Sequence, residues 1–520
     1  MNITTGRRRG HLQPAAAVPG PTGRTWPGIT LIAAAAFGVE MAVSGRYGYV
    51  RDELYFLAAG HHLAFGYVDQ PPLTPLLARV TAAATGNTLV GFRILPGLAL
   101  AALVIVTAAM SRILGAGRTG QLLAALAVAT CAEYLGAMHE LTTTTPDLVF
   151  WALTLLLVLR LLASQDPRWW VAIGGCAGVG AEAKWNIFFL VAALGAGFAG
   201  TDARHLLRSR YLLLGALLAV ALAAPDLSWQ AAHGWPNLDV FRALQTSAGQ
   251  NRILYWPAQV FYTGPVLTPV WAAGAVWAWR HPAARRFRPA AIGCIIVIVL
   301  QFVLGGKAYY PGGAYTFLLA AGSVPLEGWL KDRQPRGRGI KPAARVSAAM
   351  LAGAAMLAGG VVAAPISLSV LPARTLHTVP LQKINYDLAE TIAWPKLVAL
   401  VADQYDSQPA VHRQQTTILT GNYGEAGALA RYGPGLSLPQ AYSGANSFWL
   451  WGPPPAADSR AVAVNIDPAL LRREFAHVRL VATFWNGLGV SDDEQGVHIY
   501  LATGLKSTWA QSWPAFRDYS

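Results

Sequence analysis

The sequence predicts a mostly α-helical, polytopic membrane protein with a small α/β domain at its C-terminal end. Three observations point there. Of 520 residues, 54% are hydrophobic and only 13% charged, against roughly 25% charged in soluble domains. Eleven apolar segments approach the roughly twenty residues that cross a bilayer as a helix. They lie near 27–45, 88–110, 120–137, 147–163, 168–182, 185–200, 210–225, 255–279, 289–305, 310–329 and 346–366. Beyond residue 366 the pattern changes: WPKLVALVADQYDSQ reads as an amphipathic helix and TTILTGNYGEAGALARYG as strand, loop and helix. AVAVNI, HVRLVATFW and VHIYLATG then alternate like strands.

These readings divide the chain into three. Residues 1–26, basic and rich in Pro and Gly, read as a disordered cytoplasmic tail. Residues 27–366 form the membrane domain, and 367–520 an extracytoplasmic domain large enough for its own core. The first apolar segment shows no clear small-residue cleavage site, which favours a retained helix. Cys131, Cys176 and Cys294 all lie in apolar stretches and suggest neither a disulfide framework nor a thiolate metal site. The net charge of +14 fits cytoplasmic loops. No aromatic-basic motif points to nucleic acid.

Positive charge also orients the chain. The loops carrying Arg112 and Arg118, Arg160 and Arg168, Arg204 to Arg210, Arg280 to Arg288, and Lys331 to Lys341 are all cytoplasmic only if 168–200 crosses twice, as a tight hairpin. The opposite, outer loops then collect the unusual residues. These are Asp52, Glu53, Asp69 and Gln70 in the first, His139, Glu140 and Asp147 in the second, and Glu182 and Lys184 in the third. Asp226, His233, Asp239 and Arg252 lie in the fourth, and Lys307, Tyr309 and Tyr310 in the fifth. Charges near membrane depth are costly and mark function by default.

Each has an ordinary reading as well. RDELYFLAAGHHLAFG forms a short helix along the membrane surface, where Asp52 and Glu53 suit the positive end of the helix dipole. The stiff VDQPPL that follows returns the chain to the membrane and adds Asp69, which favours a shared acidic site. Asp147, behind Thr145 and Pro146, sits equally well at a helix start. Lys184 meets either Glu182 or a lipid-linked phosphate. Among the glycines of GGKAYYPGGAY, Lys307 offers charge to a closely approaching ligand, while Tyr309 and Tyr310 alone would be an interfacial belt.

The order of Asp52-Glu53, GYVDQPPL, TTTTPD, AKWN, PDLSWQAAHGWPNLD and GGKAYYPGGAY resembles the GT-C membrane glycosyltransferases. Within them it is similar to the family 39 group of protein O-mannosyltransferases and aminoarabinose transferases. TGNYGEAGALARYG and YSGANSFWLWGPP resemble the extracytoplasmic domain of bacterial members. The resemblance implies a bacterial plasma-membrane enzyme that moves a sugar from a polyprenyl-phosphate donor to an extracytoplasmic protein, lipid or glycan. By similarity Asp52 is the general base, with Glu53 and Asp69 in support and Asp147 a further catalytic candidate. Lys184, Lys307 and Arg252 are candidates for the departing phosphate, and Asp69, Gln70, Asp226, Tyr309 and Tyr310 for other substrate contacts. A divalent cation, Mg or Mn, held by carboxylates is compatible with that chemistry, although no strong metal motif is present. Trp449 and Trp451 either stack on acceptor sugar or pack the C-terminal domain onto the membrane part. The rival readings are a transporter or lipid-linked sugar flippase, which would place charges at the bilayer midplane, and a non-catalytic scaffold.

Overall fold

The computed structural model describes residues 25–332 and 342–519. The predicted tail at 1–26 and the basic run from Arg333 to Lys341 lie almost wholly outside the described residues. Helices cover every apolar segment, but not all as single spans. Six are long and apolar enough to cross a membrane: Trp26–Val43, Leu89–Ile113, Thr144–Ser164, Arg210–Ala232, Pro282–Leu304 and Ala348–Ser367. A seventh is counted if Asn186–Ala199 and Asp202–Arg208, bent by 116°, form one broken span.

The predicted 120–137 span breaks into Arg118–Ala129 and Ala132–Ala137. The predicted 255–279 span splits into Ala248–Thr263 and Thr268–Arg280, because Gly264 has a φ of +92° and ends the first helix. Two helices absent from the sequence reading, Leu73–Ala84 and Pro236–Leu244, flank the first and fourth outer loops.

Small residues allow the helices to touch backbone to backbone, the usual packing where lipid supplies no hydrophobic drive. A Cβ on Gly174 of Trp169–Ala181 would lie 2.0 Å from the Gly215 carbonyl oxygen of Arg210–Ala232. One on Gly322 of Gly312–Asp332 would lie 2.0 Å from the Val270 carbonyl oxygen.

The polar contacts fall at two opposite rims. At one, Arg93 at the start of Ile94–Ile113 meets Glu53, and Asp147 and Asn186 join near the starts of their helices. At the other, Trp170 donates to the Leu206 carbonyl and Arg285 pairs with Asp202. The predicted outer-loop residues therefore share one rim, and the arginine-rich loops the other.

The C-terminal part contains a five-stranded sheet of β1 (Thr416–Thr420), β2 (Ala441–Ser443), β3 (Arg460–Val464), β4 (Phe475–Thr483) and β5 (His498–Leu505) in the order β2-β1-β3-β5-β4. β1 runs parallel to β2 and β3, whereas β5 is antiparallel to both its neighbours. The short edge strand β2 was not legible in the sequence. The core under one sheet face is not the domain's own: Leu54, Tyr55 and Phe56 of the first-loop helix Arg51–His61 pack with Trp394, Ile418, Val462 and Ile499. On the other sheet face Leu419, Ala461, Phe475, Trp509 and Trp513 form a core of the domain's own. The first outer loop is clamped between the membrane helices and the α/β domain.

Candidate active site

The adjacent acids Asp52 and Glu53 sit in opposite environments. Glu53 is fully buried, and its carboxylate accepts four hydrogen bonds. Two come from Arg93 Nε and Nη2 at 3.1 and 2.8 Å, one from Val50 N at 3.0 Å and one from Leu141 N at 3.2 Å. Arg93 also donates to the carbonyls of Ser44 and Gly48. Glu53 thus caps its helix and ties the first loop to the first span and the second loop. This placement holds Glu53 as an anchor between loops. The helix-cap reading fits Glu53.

Asp52, one residue earlier, is half-buried, and its Oδ1 accepts from the Tyr423 hydroxyl of the α/β domain at 2.9 Å. Its neighbour Arg51 bridges the same interface, 3.0 Å from Asp493 and 3.6 Å from Glu390, with its guanidinium beside the Tyr386 and Tyr423 rings. Three residues on, Tyr55 donates to Asp69 at 2.7 Å, and Asn446 reaches the other Asp69 oxygen at 3.4 Å. Burial pushes the Asp69 carboxyl up to about 7, against the Tyr55 hydrogen bond and with the Asp52 charge adding to the rise.

Asp387, which precedes the first helix of the α/β domain, faces the same place. It is solvent-accessible yet densely surrounded, as expected in a concave recess, and burial helped by the Asp52 charge raises its carboxyl to about 6. Asp52, Asp69 and Asp387 therefore line a recess between the membrane helices and the α/β domain.

Cations occupy its membrane side. Lys184, in the turn between Trp169–Ala181 and Asn186–Ala199, lies over the Tyr309 and Tyr310 rings at 5.3 and 4.9 Å and donates to Thr144 Oγ1 at 3.3 Å. Burial lowers its pKa, opposed by the Asp147 carboxylate. Asp147 is buried and accepts from Asn186, which also donates to the Tyr310 carbonyl and accepts from Gln301. Lys307 is exposed, and its charge is felt at Lys184 and Asp387. Of the two partners weighed for Lys184, Glu182 is not the one found. That carboxylate instead accepts from the Asp226 backbone.

The remaining predicted residues divide. Gln70 is buried with both side-chain polar atoms lacking a protein partner, a condition that costs about 1–3 kcal/mol until something fills it. Asp226 accepts from Trp185 Nε1 at 2.6 Å and abuts Gly66, so it braces the first loop against the hairpin turn. Arg252 donates to the Val303 carbonyl at an exposed position. Trp451 stacks on His62 at 4.3 Å, which is the packing alternative, while Trp449 pairs with Trp513 inside the domain. Among the described residues no three His, Cys, Asp or Glu side chains are grouped to hold a metal ion.

Tyr423, Tyr55, Asn186 and Asp387 were missed. The first three lie inside quoted motifs, NYGEAG, RDELYF and AKWN. Tyr55 follows Asp52 by three residues on one helix face, a signal that was available. Asp387 follows no pattern and enters the recess only through tertiary packing.

Residues 69–229 match the family model of dolichyl-phosphate-mannose-protein mannosyltransferases. That span holds Asp69, Asp147, Lys184 and Asp226. The structure of ArnT from Cupriavidus metallidurans bound to undecaprenyl phosphate aligns over 93% of this chain and 98% of that one, at 16% identity and a TM-score of 0.56. The chain has the GT-C membrane glycosyltransferase fold. The apo state of the same ArnT aligns over 92% and 98%, at 16% identity and a TM-score of 0.51. No curated protein sequence matches. In this GT-C fold, the recess lies where the first outer loop, the hairpin turn and the α/β domain meet.

Proposed function

We propose that the protein transfers a sugar from a polyprenyl-phosphate donor to a hydroxyl acceptor on the outer side of the membrane, with Asp52 as general base. The observation that carries this reading is one recess holding a half-buried carboxylate, oriented by the Tyr423 hydroxyl, opposite Lys184 and Lys307. Asp52 takes the acceptor proton as the acceptor oxygen bonds to the anomeric carbon. The bond from that carbon to the phosphate oxygen breaks, and the lipid phosphate leaves with the electron pair. Lys184 and Lys307 meet the charge that develops on it, a stabilisation strongest in a site shielded from bulk water.

Asp147 and Asn186 hold the turn that carries Lys184, and Gln70 offers two unsatisfied polar atoms to the sugar. The lipid in the ArnT structure is of the donor class invoked here. A transporter reading fares worse, because the charges sit at one rim and not at the midplane. The test is to incubate membranes with radiolabelled polyprenyl-phosphate sugars and identify the labelled product. Transfer that Asp52→Asn abolishes, with donor binding retained, supports the proposal. Undiminished transfer in that variant removes Asp52 from the role, and lipid translocation without transfer would favour the flippase.

A further inference from the structure

Glu133 lies in an apolar stretch, TCAEYLGAM, in the first turn of the short helix Ala132–Ala137, and is 9% exposed. Its Oε1 is buried with no hydrogen-bond partner, and no charged side chain among the described residues acts on it. A capping role does not account for it, because no backbone N–H donates to that oxygen. Burying a carboxylate unpaired is costly, so Glu133 calls for a partner that the chain itself does not supply.

The fifth outer loop is shaped around this carboxylate. A Cβ on Gly312 would lie 1.8 Å from Glu133 Oε1, so only glycine fits there. The neighbouring Tyr134 hydroxyl donates to the Gly312 carbonyl at 2.9 Å and ties the two segments together. Gly312 closes the turn of Tyr309 and Tyr310, its N–H donating to the Tyr309 carbonyl at 3.0 Å. Lys184 lies over the two rings of that same turn. Gly312 follows Tyr310 by two residues, at most about 7 Å of chain, so Glu133 stands beside the Lys184 end of the recess. Tyr262 joins the two: it is half-buried and within electrostatic reach of Glu133, Lys307 and Asp387 alike. Its carbonyl receives the thiol of Cys131, two residues before Glu133.

An acid beside two lysines that meet a phosphate repels the phosphate itself. When ionised its two oxygens only accept hydrogen bonds, so it suits a hydrogen-bond donor attached to that phosphate. The sugar of a lipid-linked donor is such a group. We infer that Glu133 reads the donor sugar, its two oxygens accepting hydrogen bonds from neighbouring hydroxyls of a neutral ring. The role rests on the polyprenyl-phosphate reading of the recess and adds the residue that tells a sugar-bearing lipid from the bare lipid phosphate. Such bonds are charge-assisted, and a ring lacking the hydroxyls leaves the carboxylate unpaired, which makes discrimination steep.

The test uses the full-length protein in mild detergent, with binding followed by native mass spectrometry. The probes are undecaprenyl phosphate, the same lipid carrying mannose, glucose, galactose or arabinofuranose, and one carrying an amino sugar. The parent should bind at least one neutral lipid-linked sugar about tenfold tighter than bare undecaprenyl phosphate, a difference of about 1.4 kcal/mol. In E133L that gain should fall below about twofold, with binding of the bare lipid unchanged. Without lipid, E133L should melt no earlier than the parent, because the carboxylate has no protein partner to lose. The inference is overturned if no neutral sugar improves on the bare lipid, or if only the amino sugar does, which would mark a cation site. It is also overturned if the gain survives in E133L, or if E133L weakens the bare lipid equally. Should E133L misfold, the isosteric E133Q decides: its gain should fall at least about threefold, and earlier melting in both variants marks a structural role and overturns the inference. A gain that depends on Glu133 in a parent that transfers nothing sinks the transferase reading alone. Transfer that depends on Asp52, with a gain indifferent to Glu133, sinks the sugar-reading role alone.

Discussion

Glu53→Gln and Asp52→Asn change neighbouring residues in the same way and should fail differently. In E53Q one of two carboxylate oxygens becomes an amide nitrogen facing donors: either Arg93 Nη2 and Val50 N, or Arg93 Nε and Leu141 N. Arg93 is 1% exposed, so its charge then stays buried without a full counterion. Breaking a buried pair in this way costs about 3–5 kcal/mol, a large part of the 5–15 kcal/mol that typically holds a domain folded. By contrast, Asn at position 52 keeps an oxygen for the Tyr423 hydroxyl and leaves no buried charge, so its folding cost should stay below about 0.5 kcal/mol. What it removes is the proton acceptor, worth about 10²- to 10⁴-fold in rate. Thermal unfolding in detergent, followed by transfer assays well below both melting temperatures, separates the two. E53Q should melt much earlier yet keep most of its transfer per folded molecule, and D52N should melt normally and be inactive. An E53Q protein that melts like the parent but loses transfer as D52N does would refute this division of labour.

Lys184→Met, which keeps the apolar stem between the tyrosine rings, should weaken donor binding about 10- to 100-fold, seen as a raised KM for the lipid-linked sugar. Tyr423→Phe should lower kcat by about tenfold with KM for the donor little changed, because the hydroxyl that orients Asp52 is lost while the ring packing stays. Asp69→Asn bears on stability. Because the folded carboxyl titrates near 7 and the unfolded one near 4, the native state holds an extra proton between those values. The stability contributed by Asp69 is therefore full below about pH 4 and is lost as pH rises through 7. The variant should melt later than the parent at pH 8, by the equivalent of about 4 kcal/mol at most, and alike at pH 4.

What the sequence showed and what it hid have separate physical causes. The apolar segments and the gathering of charges at one rim were legible because bilayer thickness and the Lys/Arg bias act on the chain locally. The break at Gly264 was marked in the sequence by Gly264-Pro265, a turn signal inside an otherwise apolar run, and the positive φ at Gly264 ends the helix there. The division between Asp52 and Glu53 was out of reach. Helix-dipole reasoning treats the two acids alike, and what separates them is Arg93, forty residues away, taking up one carboxylate. The α/β domain gives the larger lesson. Four of its five strands were readable from the sequence, yet its contribution to the recess comes from Tyr423, Asn446 and Asp387, brought in by a core that the domain shares with the first-loop helix. A domain that completes both the packing and the polar lining of that loop is a structural part of the recess. Its removal should therefore unfold the Arg51–His61 helix along with the acidic site, which truncation after residue 367 and circular dichroism of the purified membrane domain would detect as lost helix and lost donor binding together.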